Sequence, residues 1–119
     1  MKTSFIEVNN LTKSRVNKEF LKGLAKKTLA GKEFNLSIAL VGQGRIKELN
    51  KRYRKKDKPT DVLSFRYDDW GEVVICPEEV KKNAQQFKVT YQKELARVLV
   101  HGVLHILGYN HQQMKQRNG

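Results

Sequence analysis

All three histidines of this 119-residue chain fall in one stretch, "HGVLHILGYNH", residues 101 to 111. His101 and His105 are four apart, so on a helix both imidazoles leave one face, one turn from each other. Two imidazoles in that relation can hold one zinc ion, each nitrogen about 2.0–2.1 Å from the metal. Gly108 stands where a helix stop belongs, because glycine takes left-handed backbone at little cost. A turn there brings His111 back towards the same ion. Three nitrogen ligands with a fourth position left to water describe a catalytic zinc site, not a closed structural one. Zinc lowers the pKa of coordinated water toward ~7, so hydroxide becomes available at neutral pH. Burying two imidazoles on an otherwise apolar helix is costly unless both are bonded, which argues against ordinary core histidines. The spacing therefore predicts one Zn2+ held by His101, His105 and His111.

The pattern H-x-x-x-H-x-x-G-x-x-H also fits the metzincin proteases, which place a glutamate directly after the first histidine as the base acting on water. Here that position is Gly102, and no methionine-containing turn sequence follows His111. Glycine cannot exchange a proton, and inside a helix it costs about 1 kcal/mol relative to alanine. Close approach of a neighbouring backbone explains it better, and proteolysis by that mechanism is disfavoured.

A second feature is electrostatic. Twenty-four Lys and Arg oppose twelve Asp and Glu, a net charge of +12, and a field of that sign attracts nucleic acid. Half of the excess lies between Arg45 and Lys58, where eight basic residues face Glu48 and Asp57. Arg52, Arg54, Lys55, Lys56 and Lys58 are the candidates for nucleic-acid contact, with Arg54 suited to clamp a phosphate through its planar guanidinium. This stretch lacks the broad apolar face of a membrane-surface helix.

These residues must be positioned by local structure. "SFIEV" (4 to 8), "FNLSIALV" (34 to 41), "DVLSF" (61 to 65) and "EVVIC" (72 to 76) read as strands. Apolar residues at helical spacing predict a helix over 16 to 30, stopped at Gly31. Ile46, Leu49 and Tyr53 mark the apolar face of a short helix carrying the basic residues on its other side. Pro77 opens a helix running to about Phe87, and Thr90 caps a last one reaching Leu107. From Leu95 to Leu107 that last helix is apolar all round apart from Arg97 and the two histidines, so it should be buried between other elements. The expected fold is α+β: a small mixed sheet packed on a buried central helix within one domain, residues 1 to 119.

Smaller expectations attach to single residues. Ser64 borders the cleft or is structural, and Asp57, Thr60 and Asp61 are turn and cap residues. Arg97, on the stripe of the histidines, either faces the cleft rim or snorkels to solvent, the second being the more usual for an arginine. Tyr109 either stacks a base or packs beside the metal loop. Cys76, the one cysteine, is a small buried hydrophobe and not a fourth ligand. It can form no intramolecular disulfide. The N-terminus lacks the apolar region of a signal peptide, and no apolar run nears the ~20 residues that span a bilayer. A soluble cytoplasmic protein without membrane association is expected.

The two features together resemble a known family, the YbeY endoribonucleases and rRNA maturation factors of bacteria. Their signature H-G-x-L-H-x-x-G-Y-D-H appears here as "HGVLHILGYNH", departing only at Asn110. A second block, L-N-x-x-Y-R-x-x-D-x-P-T-D-V-L-S-F, appears as "LNKRYRKKDKPTDVLSF" (49 to 65), and "GEVVICPE" (71 to 78) is also similar. The resemblance implies a zincin-like domain binding one zinc through the motif histidines, with Arg54 as the functional basic residue beside it. It implies single-strand-specific endoribonuclease action in 16S rRNA 3′-end maturation and ribosome quality control. The partners are then rRNA and the small ribosomal subunit, with no small-molecule substrate. Asn110 keeps the shape of the family aspartate and loses its charge, so no general base is identifiable. Family members usually continue into a further C-terminal helical segment, which is short or absent here. A zinc-stabilised rRNA-binding assembly factor without catalysis is the alternative, with a metalloprotease behind it.

Overall fold

The computed structural model describes residues 5–108. Four strands and four helices alternate in the order β1 (Ile6–Asn10), α1 (Lys18–Leu29), β2 (Asn35–Leu40), α2 (Gln43–Arg54), β3 (Val62–Arg66), β4 (Trp70–Ile75), α3 (Pro77–Phe87) and α4 (Tyr91–Ile106). The strands form one mixed sheet in the order β1-β2-β4-β3. β1, β2 and β4 run parallel, while β3 is an antiparallel edge paired through Val62–Ile75, Ser64–Val73 and Arg66–Gly71. The architecture is the small α+β domain that the sequence predicts.

Side chains alternate across the sheet, so each strand feeds two layers. Val8, Leu36, Ile38, Leu40, Val73 and Ile75 meet helices α1, α3 and α4 in the main core. On the opposite face Ala39, Leu63 and Val74, with Val41 and Cys76, meet Ile46 and Leu49 of α2. Helix α4 packs against the sheet, α1 and α3, with Val98, Leu99, Val103 and Leu104 all at 1% exposure or less. Full burial of each such side chain favours folding by about 1.5–3 kcal/mol, and this holds the histidine-bearing helix in place.

Local chemistry sets the boundaries. The side chain of Thr90 accepts the Lys93 N–H at 3.1 Å and starts α4, and Pro77 opens α3 where its missing N–H costs nothing. The first helix is shorter than its periodicity suggests, because the Asn17 side chain accepts the Phe20 N–H at 3.0 Å and makes Lys18 the first helical residue. It ends through Ala30 in left-handed backbone, just before Gly31. β1 sits two residues later than expected, in register with β2 from Ile6–Leu36 to Asn10–Leu40. β4 begins at Trp70 and not at Glu72. The Tyr67 N–H donates to the Trp70 carbonyl at 2.9 Å, and the two rings stack at 4.2 Å, which tightens the hairpin.

Candidate active-site cleft

A cleft of about 680 Å³ lies where α4 crosses β3 beside the end of α2. Helix α4 contributes Arg97, His101 and His105; α2 contributes Tyr53 and Arg54; the segment from Thr60 to Arg66 forms the remaining wall. The structure thus brings two of the three predicted ligands and the predicted phosphate clamp to one cavity. His101 is half-buried and His105 exposed, so their imidazoles reach the space from one helical stripe.

Close packing makes this approach possible. A methyl group on Gly102 would sit 2.9 Å from Val73 Cγ1 and 3.3 Å from Ser64 Oγ. The close neighbours of this glycine are therefore side chains of β3 and β4, not a backbone as the sequence reading expects. A glutamate here would have no room. One turn on, a methyl on Gly71 would meet Ile106 Cγ2 at 2.8 Å, so a second glycine lets the end of α4 rest on the sheet. Arg66 completes that support, donating from Nη1 to the Ile106 carbonyl at 2.8 Å while its guanidinium lies over the Phe34 ring. This satisfies one of the carbonyls a helix end leaves bare. Gly108 follows with φ +93°, the left-handed turn predicted from its type.

His111, Asn110 and Tyr109 lie outside the described residues, so the expected triad is represented by His101 and His105. Among the described residues no three His, Cys, Asp or Glu side chains converge on a point suitable for a metal. The donor set nonetheless suits zinc: two imidazoles at helical spacing on one cavity wall, followed by Gly108 in left-handed backbone.

The basic segment divides. Arg54 lines the cleft, whereas Arg52, Lys55, Lys56 and Lys58 are exposed around it and do not. Asn50 organises this region, a role the sequence reading misses. It is 1% exposed, and its Nδ2 donates to the Lys58 carbonyl at 2.8 Å, tying α2 to the loop after it. The available signal was an amide on the apolar stripe of Ile46 and Leu49. Tyr53, expected on that stripe, is instead 58% exposed at the cleft mouth, its ring edge-on to Phe65 at 5.2 Å.

Two other residues behave differently from expectation. Arg97 does not simply reach for solvent: its Nε and Nη2 bind the two carboxylate oxygens of Glu94, a side chain only 3% exposed. Hydrogen bonding to that carboxylate holds the guanidinium firmly charged, against the opposing pull of burial. The sequence signal was an acid and a base three apart on a buried helix. Asp61 is both a turn residue and part of the cleft wall, its Oδ2 accepting the Asn83 Nδ2 at 3.2 Å. Cys76 is fully buried in the layer under α2, with its thiol pushed up by burial, and is no ligand of this cleft.

Comparisons with known proteins agree with this architecture. The family model described as Endoribonuclease YbeY matches residues 1–119. Proteins named Endoribonuclease YbeY include one from Thermotoga petrophila, 42% identical over 98 residues covering 80% of this chain and 64% of that protein. Another, from Aquifex aeolicus, is 38% identical over 113 residues covering 87% of this chain and 75% of the relative. The chain thus spans less than two thirds of the Thermotoga petrophila protein. A solution structure of a Thermotoga maritima protein matches with a TM-score of 0.63 at 37% identity, covering 88% of this chain and 75% of that one. Both the motifs and these matches lead to one assignment: the chain belongs to the YbeY family.

Proposed function

We propose that this protein is a zinc-dependent, zincin-like endoribonuclease acting on single-stranded RNA. The observation that carries the proposal is the convergence of Arg54 from α2 with His101 and His105 from α4 on one cleft. The names of the YbeY relatives support the reaction class. His101, His105 and His111 would hold one zinc ion, and the left-handed turn at Gly108 supports the return of the third ligand. Bound there, zinc supplies Lewis-acid activation of water and of a phosphate oxygen.

The chain's own residues bind and orient. Arg54 takes the charge of a phosphodiester through two N–H donors, which fixes the scissile group beside the histidines. The lysines of 55, 56 and 58 raise the local concentration of a polyanion without choosing a bond. Among the described residues, three arginines and one aspartate are the fully charged residues of the cleft wall, so the field favours an anionic substrate. Maturation of the 16S rRNA 3′ end and quality control on the small ribosomal subunit, in the cytoplasm, are the proposed setting. Among the described residues no helix is long and apolar enough to cross a membrane. The test is cleavage of rRNA by ribonuclease-free protein. His101→Ala should abolish it, and undiminished cleavage by that variant would show that the histidines do not carry the reaction.

One observation favours a second reading, a zinc-stabilised rRNA-binding assembly factor without catalysis. Among the described residues, Asp61 is the one carboxylate on the cleft wall, and Asn83 already binds it. No base is in evidence there. A chelator titration followed by both RNA binding and cleavage separates the two, since the second reading predicts cleavage at no metal level and binding that is lost only as the fold is lost.

A further inference from the structure

We infer that Arg97 is a second phosphate-binding residue of the cleft, gripping a different phosphate of the same strand from the one held by Arg54. The inference rests on the RNA-cleaving reading above and adds a substrate contact to it. Arg97 lines the cleft one helical turn before His101, on the stripe that also carries His105. Its guanidinium is fixed before any ligand arrives, because Nε and Nη2 are bound at one edge by the Glu94 carboxylate. That carboxylate is 3% exposed, whereas the Arg97 side chain is 45% exposed. A guanidinium has five donors in a planar fork, so the pairing leaves the Nη1–Nη2 edge for a second acceptor. An arginine so held loses little further freedom on binding, which is how a preorganised contact gains over a flexible lysine.

Charge alone would make this a neutral pair, and Asp61 adds a further negative field at Arg97. The grip is therefore directional, suited to a phosphate oxygen seated on the open edge and weak towards diffuse anions. Arg54 comes to the cleft from another element, the last turn of α2. Two guanidiniums on separate elements can engage two phosphates of one strand, which sets the register of the strand across the histidines.

The test is the salt dependence of binding to a short fluorescent oligouridine, since each phosphate contact on a single strand contributes about 0.7 to the slope of log K against log salt. Arg97→Gln alone would leave the Glu94 carboxylate buried without its partner. The paired change Glu94→Gln/Arg97→Gln avoids this, and its folding is checked by thermal unfolding. We expect the paired variant to lower the slope by about 0.7 relative to Glu94→Gln alone, in which Arg97 keeps its charge, and Arg97→Lys to retain it. Adding Arg54→Gln should lower it again by the same amount, because the two contacts lie on different phosphates. An unchanged slope in the folded paired variant overturns the inference. So does a combined variant no lower than Arg54→Gln alone, which would place both arginines on one phosphate. Failure of the wild-type chain to bind the oligouridine at all would instead sink the RNA reading itself.

Discussion

The two sides of the cleft are built to different tolerances. The α4 side is buried, capped at Thr90, pressed onto the sheet at Gly71 and Gly102, and held at its end by Arg66. The α2 side ends in open water: every residue from 51 to 58 is exposed, and the loop is tied to α2 by the Asn50–Lys58 hydrogen bond, the Lys56 N–H to the Asn50 carbonyl and an exposed Lys47–Asp57 ion pair. A metal site fails if its ligands stray by a fraction of an ångström, so its ligands belong on packed helix and sheet. Attraction of a polyanion acts over several ångströms and tolerates moving lysines. Arg54 sits at the join, on an exposed helix end that nevertheless reaches the cleft. On the proposed function, chemistry would fall to the packed side and capture to the exposed one.

Substitutions can break this contrast, and the largest effect belongs to the histidines. His105→Ala should drop rRNA cleavage by about a thousandfold, the several kcal/mol a metal ion contributes to such a reaction, with stability little changed. A cleavage assay alongside thermal unfolding checks both halves. Next comes packing. Gly102→Ala should destabilise by about 1 kcal/mol or more, because the cost of crowding Val73 exceeds the gain in helix propensity. Gly44→Ala, on α2 with nothing within 4 Å of the added methyl, should stabilise by about 0.5 kcal/mol. Denaturant unfolding of the pair reads the contrast directly as opposite signs, and equal signs would remove it. Arg66→Met should cost about 1 kcal/mol by stripping the Ile106 carbonyl of its donor, and should also weaken metal affinity, because the end of α4 carries His105. Smallest of all, Lys56→Gln should leave stability and the cleavage rate at saturating RNA unchanged. It should lower RNA affinity severalfold at low salt and not at all at high salt.

Much of this arrangement was legible in the residues themselves. Pro77, Thr90 and Gly108 act locally, through a missing N–H, a side-chain cap and a permitted positive φ, so their types alone placed the helix ends. The four-residue spacing of His101 and His105 put both on one face for the same reason, and the family blocks around Arg54 and the histidines pointed to YbeY. Tertiary effects were not legible. Which atoms crowd Gly102 depends on how α4 crosses β4, a relation between residues 29 apart in the chain. Trp70 joined β4 because it pairs with Asn35 on β2 and stacks on Tyr67, neither of which a polar "YDDWG" segment discloses. Tyr53 has helical spacing with Ile46 and Leu49, yet at the last turn of α2 it meets the sheet only through the edge of Phe65 and stays 58% exposed. Arg97 was expected in solvent because an arginine usually is, and a buried glutamate three residues away holds it in the cleft.

The account depends most on one claim, that the histidines and Arg54 make a single metal-dependent RNA-cleaving site. Metal analysis of protein purified without added metal, paired with rRNA cleavage by wild type, His101→Ala and Arg54→Ala, tests it most directly. The expected result is one zinc per chain in wild type and in Arg54→Ala, loss of zinc in His101→Ala, and cleavage by wild type alone. Zinc-free wild-type protein that still cleaves, or a His101→Ala variant that cleaves normally, would contradict it.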